Sequence, residues 1–244
     1  MRKGLVYLFV LIFHIGLGQS DYRFNNYTIN EGLSQSLVSC IIQDDLYSLW
    51  VGTQDGLNRF DGTDFQVFNS NNTKGIINEF IRCAAKSANG DLWFGTNNGL
   101  LKYSISTEEF TAYPGDGLLQ VQDLIIEGSK IWVGAAESGL FMFDMNNQKY
   151  EPLGNKVKGK FITDLYMTDK NILYIFSEDQ GLVSYDKEMQ KVKKISLPEG
   201  IKVNKVIPDN ERSLFLLTTS GIYALDIRTG ETKKAFTNLK STFS

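Results

Sequence analysis

The sequence has 244 residues but only one histidine, His14. That residue lies in a separate N-terminal segment, where two basic residues precede an apolar run from Leu5 to Ile15 and Gly16-Leu17-Gly18 follows it. This order is typical of a secretory signal peptide, and the run is too short to span a membrane. We predict a signal peptide over residues 1–20; a buried N-terminal strand or helix is the alternative. The mature chain then lacks histidine, which excludes a histidine-based nucleophile relay and a histidine-ligated metal.

Long apolar runs and basic clusters are also absent from the mature chain. No run after residue 20 approaches 18 apolar residues, so no transmembrane helix is predicted there. Without the two basic residues of the signal, 23 Lys and Arg face 28 Asp and Glu, a net charge of about −5. The densest basic run, Lys191-Val192-Lys193-Lys194, alternates like the exposed face of an outer strand. Nucleic-acid binding by this segment is therefore disfavoured.

What the sequence does contain is a phrase that occurs five times. It reads Leu49-Trp50-Val51-Gly52-Thr53 at first, returns closely at residues 92–96 and 131–135, and weakens at 173–177 and 214–218. Its aromatic residues are spaced by 43, 39, 42 and 41 residues, and the glycines of the following turn by 43, 40, 42 and 40. Two columns with one period near 40 indicate a β-propeller.

Each unit has four strand candidates and no competing helical period, so the predicted fold is all-β. We predict a propeller of four-stranded antiparallel blades, with five blades visible. The predicted boundaries are a signal peptide at 1–20, a closing strand at 21–33, blades at 34–72, 73–115, 116–155, 156–198 and 199–240, and the start of a sixth repeat at 241–244.

The repeat residues have a structural interpretation. The second and third strands are apolar on both faces, so they must lie between two other sheets, as radial stacking of blades provides. Aromatic rings would fill the gaps between blades, small glycines beside the Trp would let a neighbouring ring approach, and the turn glycines would supply positive φ. The structural residues of the repeat are Trp50, Gly52, Gly56, Leu57, Trp93, Gly95, Gly99, Trp132, Gly134, Gly139, Tyr174, Gly181, Phe215 and Gly221.

One column of the first strands has chemical interest. Asp123 and Asp164 occupy equivalent positions in neighbouring repeats, with Lys205 in the next. A carboxylate pair could serve a glycosidase, although hydrogen-bonded strand or channel-lining residues are the favoured interpretation. Cys40 and Cys83 share the same column, and adjacent blades hold such sites too far apart for the roughly 7 Å between Cα atoms that a disulfide tolerates. We expect free buried thiols; a disulfide is the alternative in an exported protein.

Two acidic turns, Asp44-Asp45 and Glu178-Asp179, are the remaining candidates for a bound ion. They lack the alternating ligand spacing of a calcium loop, so plain turn residues are favoured. We therefore predict no catalytic residues, no metal ligands and no cofactor, and the sequence does not single out ligand-binding residues.

The run from Gly32-Leu33-Ser34 through Trp50 to Asp55-Gly56-Leu57-Asn58-Arg59-Phe60-Asp61-Gly62 resembles the two-component regulator propeller repeat, and the second repeat resembles it well. The resemblance weakens in the last two repeats and extends over about residues 22 to 240. It implies an exported, periplasmic sensor propeller of seven blades, of which the five visible blades form an incomplete ring. In such proteins the propeller precedes a membrane helix and a histidine kinase or regulator. The resemblance also implies a carbohydrate or small-molecule ligand, contact with downstream sensor domains of the parent chain, and a homodimer formed through that parent.

Three functions stay open at this point. The preferred one is a non-enzymatic extracytoplasmic sensor module, and the alternatives are a secreted scaffold and a polysaccharide-active enzyme. Residues 22–29 resemble a fourth strand, but the fifth repeat already has one and residues 238–244 resemble the lead-in to a first strand. We therefore expect the N-terminal part of a longer sensor; a self-closing five-bladed ring is the rival.

Overall fold

The computed structural model describes residues 24–115, 119–154, 156–157, 159–197, 199, 201, 203–210 and 212–235. Within these ranges twenty β-strands form five separate four-stranded sheets, and the only helix is a single 3-10 turn, Ile29–Glu31. Each sheet is an antiparallel meander in which successive strands are neighbours. The predicted all-β fold of four-stranded blades is confirmed. In the described part of the chain no helix has the length and apolarity to cross a membrane.

The strands are numbered in chain order. Blade 1 has β1 (Val38–Gln43), β2 (Leu49–Thr53), β3 (Gly56–Phe60) and β4 (Phe65–Phe68). Blade 2 has β5 (Ile81–Lys86), β6 (Leu92–Thr96), β7 (Gly99–Ser104) and β8 (Glu109–Tyr113). Blade 3 has β9 (Val121–Glu127), β10 (Lys130–Ala135), β11 (Gly139–Asp144) and β12 (Lys149–Pro152). Blade 4 has β13 (Ile162–Met167), β14 (Ile172–Ser177), β15 (Gly181–Asp186) and β16 (Lys191–Lys194). Blade 5 has β17 (Val203–Asn210), β18 (Ser213–Thr218), β19 (Gly221–Asp226) and β20 (Thr232–Lys234).

The hairpin between the second and third strands recurs in every blade. Its glycine has positive φ in all five cases, from 77° at Gly181 to 134° at Gly56. Only glycine adopts this backbone region without steric cost, so the column of turn glycines follows from the geometry of the tight hairpin.

The blades stack through their first strands. β1, β5, β9, β13 and β17 pack side by side in that order, so they form the innermost layer around a common axis. Four apolar cores lie between consecutive blades, and each combines residues of two adjacent sheets. Among the described residues no comparable packing joins β17 to β1, so the five blades form an open arc.

Blade 1 has one sheet face that no preceding blade covers among the described residues. Ile41 in β1 is 61% exposed, whereas Leu124, Leu165 and Val206 at the equivalent positions of blades 3 to 5 are at most 6% exposed. Phe60, whose equivalents face the tryptophan of the preceding blade, instead contacts Tyr27, with ring centroids 5.1 Å apart. An apolar sheet face therefore remains open on the first blade.

The described part of the predicted closing strand pairs with none of the five sheets, and its role in closing a ring stays a prediction. Residues 24–28 form no strand, and Ile29–Glu31 turns into a 3-10 helix. A capping box causes this turn: the amide of Asn30 donates to the Thr28 hydroxyl, and the Thr28 amide donates to Glu31. All five blades already have four strands, so none offers a vacant edge. The predicted signal peptide and the predicted start of a sixth repeat lie outside the described residues.

Candidate functional site

A polar column lies on the innermost strands near the axis. It consists of Cys40, Cys83, Asp123, Asp164 and Lys205, each paired with the fourth or fifth residue of the second strand in its own sheet. A bulge precedes the column position in β1, β5, β13 and β17, and interrupts the β9–β10 ladder of blade 3 as well. Such a bulge re-aims a side chain, which here brings the residues of neighbouring blades together.

The two aspartates bind the backbone of the blade that follows. Asp123 accepts a hydrogen bond from the amide of Leu165 at 2.8 Å, and Asp164 accepts one from the amide of Val206. Asp164, which is 1% exposed, also forms an ion pair with Lys205 at 2.5 Å. The carboxylates therefore satisfy amides on the edge strands β13 and β17, and they link blades 3, 4 and 5.

The environment of the column changes its protonation. Burial raises the pKa of Asp123 to about 7, and the negative charge and hydrogen bond of Asp164 add to this, while Lys205 opposes it. For Lys205, partial burial disfavours the charged form, yet the two carboxyl groups prevail and raise its pKa. In blades 3 to 5 the column thus consists of two carboxyl groups and one ammonium group, and Asp123 titrates near pH 7.

This geometry fits a structural role better than a glycosidase. A glycosidase keeps its two carboxyl groups free to face the sugar between them, whereas Asp123 and Asp164 each accept a backbone amide of the following blade. Asp123 Oδ2 and both oxygens of Asp164 are engaged by backbone amides and Lys205. The interpretation as hydrogen-bonded strand residues is therefore the one that the contacts favour.

Both cysteines are free thiols, as predicted. Cys83 is buried, and Cys40 is half-buried. Burial raises the pKa of Cys40 to about 11 and that of Cys83 well above its usual range. Since the thiolate is the reactive form, both thiols are poorly reactive at neutral pH.

The tryptophans lie between blades. The Trp50 ring faces Tyr103 of blade 2 at 4.5 Å between centroids, and Trp93 faces Phe143 of blade 3 at 5.8 Å. The indole N–H of Trp50 donates to Asp44 at 2.8 Å, and that of Trp132 donates to Glu127 at 2.9 Å. Tyr174 occupies the same position in blade 4 and is also buried, while Phe215 in blade 5 is half-buried.

The glycines beside the tryptophans have a different neighbour from the one predicted. A Cβ added to Gly52 would lie 2.6 Å from Ile81 Cγ2, and at Gly95 it would lie 2.5 Å from Val121 Cγ1. At Gly134 the approaching residue is Ile162. The prediction of an approaching ring is wrong: the glycine accommodates the β-branched residue that begins the next blade.

The acidic turns bind their own backbone. Asp44 is 4% exposed and accepts the amides of Leu46 and Ser48, both at 2.9 Å, in addition to the Trp50 indole. Asp179 accepts the amide of Lys160 and the hydroxyl of Ser177. These contacts support the interpretation as turn residues, and across the described ranges no group of three potential ligands could hold a metal ion.

One repeated residue escaped the sequence reasoning. The second strand ends with a threonine in three blades, at Thr53, Thr96 and Thr218. Its hydroxyl donates a hydrogen bond to the carbonyl of the turn glycine. The same hydroxyl accepts a hydrogen bond from a backbone amide of the turn. Ser177 accepts a turn amide in blade 4, and blade 3 has Ala135 instead. The sequence does show this pattern, because a serine or threonine ends the repeated five-residue segment in four of its five copies.

Comparison with known proteins agrees with this architecture. The sequence pattern of the family described as "Two component regulator propeller" matches residues 75–98. A histidine kinase of Formosa agariphila, "Histidine kinase P4", is 50% identical over 52 residues, which cover 21% of this chain and 4% of the kinase.

Two solved structures are similar over 86% of the chain. The extracellular domain of a one-component system protein of B. thetaiotaomicron has 26% identity and a TM-score of 0.71, and the chain covers 29% of it. The extracellular domain of a hybrid two-component system protein of the same organism has 21% identity and a TM-score of 0.74, and the chain covers 31% of it. The chain thus spans less than a third of each of these relatives.

The matched segment, residues 75–98, contains the Trp93 phrase of blade 2, whose counterparts occupy equivalent places in the other blades. The fold is that of the extracellular propellers of two-component sensors. Residues 75–98 are therefore similar in sequence to the two-component regulator propeller family, and the described blades are similar in fold to these extracellular domains.

Proposed function

We propose that this chain is an extracytoplasmic ligand-binding module of a two-component signal transduction protein. The observation that carries the proposal is the open arc of blades, similar over most of its length to extracellular sensor domains. The predicted signal peptide supports export to the periplasm, and the short match to a histidine kinase supports a kinase parent.

The open arc also supports a longer propeller. Ile41 and Leu37 are exposed on the free side of blade 1, and apolar surface of this kind is normally covered. In the proposed parent, further blades of the same repeat cover this face and the outer face of blade 5. Ligand-dependent movement of the rigid propeller would then be passed to a membrane helix and an intracellular output domain.

Two other functions compete with this proposal. A secreted scaffold would use the same exposed surfaces without any kinase. A polysaccharide-active enzyme would need catalytic groups, and the strongest carboxyl pair of the described residues, Asp123 and Asp164, is engaged in hydrogen bonds between blades.

The discriminating experiment offers the purified mature protein a panel of glycans and small molecules, and measures binding by calorimetry and product release by chromatography. Binding without turnover is expected, and product release would overturn the sensor proposal. Sequencing of the gene beyond Ser244 separates sensor from scaffold. A frame that continues into more repeats, a membrane span and a kinase supports the sensor, and a stop codon at that point supports the scaffold.

A further inference from the structure

Two equivalent clefts lie between blades, each beside the aromatic residue of a second strand. The cleft between blades 3 and 4 contains Trp132 and has a volume of about 370 Å³. The cleft between blades 4 and 5 contains Tyr174 and is larger, about 660 Å³. The second volume lies well within the range of small-molecule sites.

The difference in size has a clear cause. The first cleft is crossed by an ion pair between Glu127 and Lys187, and the Lys187 ammonium also lies over the Trp132 ring. At the equivalent positions of the second cleft stand Thr168 and Ile227, which cannot form such a pair. The smaller Tyr174 ring replaces the indole, and its hydroxyl reaches only the carbonyl of Ile227, at 3.5 Å. The second cleft is therefore open where the first is bridged.

The rim of the larger cleft is strongly cationic. Lys170, Arg212 and Arg228 line it, and Asp169 is its only acidic lining residue. All three cations are exposed, and the described residues provide no ion-pair partner within 4 Å for any of them. On a chain with net negative charge, this cleft has an excess of positive charge, which raises the local concentration of anionic ligands.

The floor of the cleft suits an organic ligand. Leu214 and Ile227 provide apolar surface, and Tyr166 and Tyr174 provide rings with hydroxyl groups. Burial raises the pKa of Tyr174, so its hydroxyl stays protonated and can donate at neutral pH. Asn210 and Thr168 add neutral polar groups at the edge.

We infer that the cleft between blades 4 and 5 binds a small organic anion that carries one or more carboxylates, at the size of a single sugar ring or a tricarboxylic acid. Arg212 and Arg228 recognise the carboxylates, since guanidinium groups bind them in a two-pronged geometry. The Tyr174 ring packs against the body of the ligand. The inference rests on the proposed function only in treating this anion as a signal.

The test is calorimetry on the mature protein with four probes: glucuronate, citrate, glucose and sodium sulfate. We expect glucuronate or citrate to bind and glucose not to bind. The variant Arg212→Gln/Arg228→Gln should weaken binding at least tenfold. The matched control Lys193→Gln/Lys194→Gln, which removes two exposed charges from the outer strand of blade 4, should leave it unchanged.

A second variant tests the cavity itself. Tyr174→Trp restores the residue of blades 1 to 3 and should fill the cleft and abolish binding, with a circular dichroism spectrum like that of the wild type. The inference is overturned if neither carboxylate binds, or if glucose or sulfate binds as tightly as the carboxylates. It is also overturned if the lysine control weakens binding as much as the arginine variant does, or if the folded Tyr174→Trp protein binds as the wild type does. Because only binding is measured, a failure here leaves the sensor proposal standing.

Discussion

At the scale of single residues, the closest contacts between blades occur at the glycines beside the tryptophans. Gly95 lies against Cys83 of its own blade and Val121 of the next, and both are too near for a side chain. The sequence predicted that these glycines permit a close approach, but it named the wrong neighbour. The contact joins strands that are about 25 residues apart in the chain, and no local pattern specifies which side chain arrives there.

Replacing Gly95 with alanine should destabilise the protein by about 1–3 kcal/mol, because the new Cβ would lie 2.5 Å from Val121 Cγ1 and the core must shift. Urea unfolding followed by tryptophan fluorescence measures this loss. Gly154→Ala is the matched control, since an added Cβ meets nothing within 4 Å and the backbone has no positive φ there. Equal stability of the two variants would contradict the packing described.

The axial carboxyl pair gives a second prediction at this scale, on pH. The pKa of Asp123 is raised to about 7 in the folded state, against about 4 in the unfolded chain. The folded state therefore binds more protons between these values, so this group stabilises the protein below pH 4 and its contribution is lost as the pH rises through 7.

Asp123→Asn removes this titration and keeps an oxygen that can accept the Leu165 amide. The wild type should lose stability from pH 5 to pH 8 as Asp123 deprotonates, and the variant should not. The unfolding free energy of the variant minus that of the wild type should therefore rise by on the order of 1 kcal/mol over this range, after a discount for the partial exposure of Asp123. Denaturant unfolding at both pH values measures the difference. The control Glu109→Gln, on an exposed outer strand, should show no such gain. A pH dependence identical to wild type for Asp123→Asn would refute the assignment.

At the scale of elements, each junction between blades has its own polar link. The Ser39 hydroxyl donates to the Ile81 carbonyl, and Arg82 donates to Gln122 at 3.2 Å. The strands themselves were predictable, because the aromatic phrase and the turn glycine after it repeat in the sequence. The links were not, because serine, arginine and aspartate make them at different junctions and the partner lies about 40 residues away.

The outer link between blades 2 and 3 is the most testable. The Tyr150 hydroxyl donates to the Tyr113 carbonyl at 2.7 Å and accepts the Leu100 amide at 3.0 Å. Tyr150→Phe should destabilise the protein by about 1–3 kcal/mol, since it removes the hydroxyl that makes hydrogen bonds to two backbone groups of blade 2. Thermal unfolding measures the change, and Tyr47→Phe, at a residue 82% exposed, is the neutral control. A shift no larger than that of the control would show that Tyr150 does not link the blades.

At the scale of the whole molecule, five blades share an axis and leave an arc with free faces. The sequence predicted the blades and their number because the period survives even where tryptophan is lost. It could not predict the cleft between blades 4 and 5, which depends on the joint replacement of Glu127, Lys187 and Trp132 by Thr168, Ile227 and Tyr174.

The most direct test of the open arc compares thiol labelling at two equivalent positions, Ile41→Cys in blade 1 and Leu165→Cys in blade 4. Ile41 is 61% exposed and Leu165 6% exposed, so the first thiol should react with a maleimide rapidly and the second only on unfolding. The native cysteines provide an internal reference of low reactivity, since burial raises the pKa of both. Rapid labelling at Ile41→Cys with protection at Leu165→Cys is the predicted result, and equal protection at both positions would mean that the ring is closed.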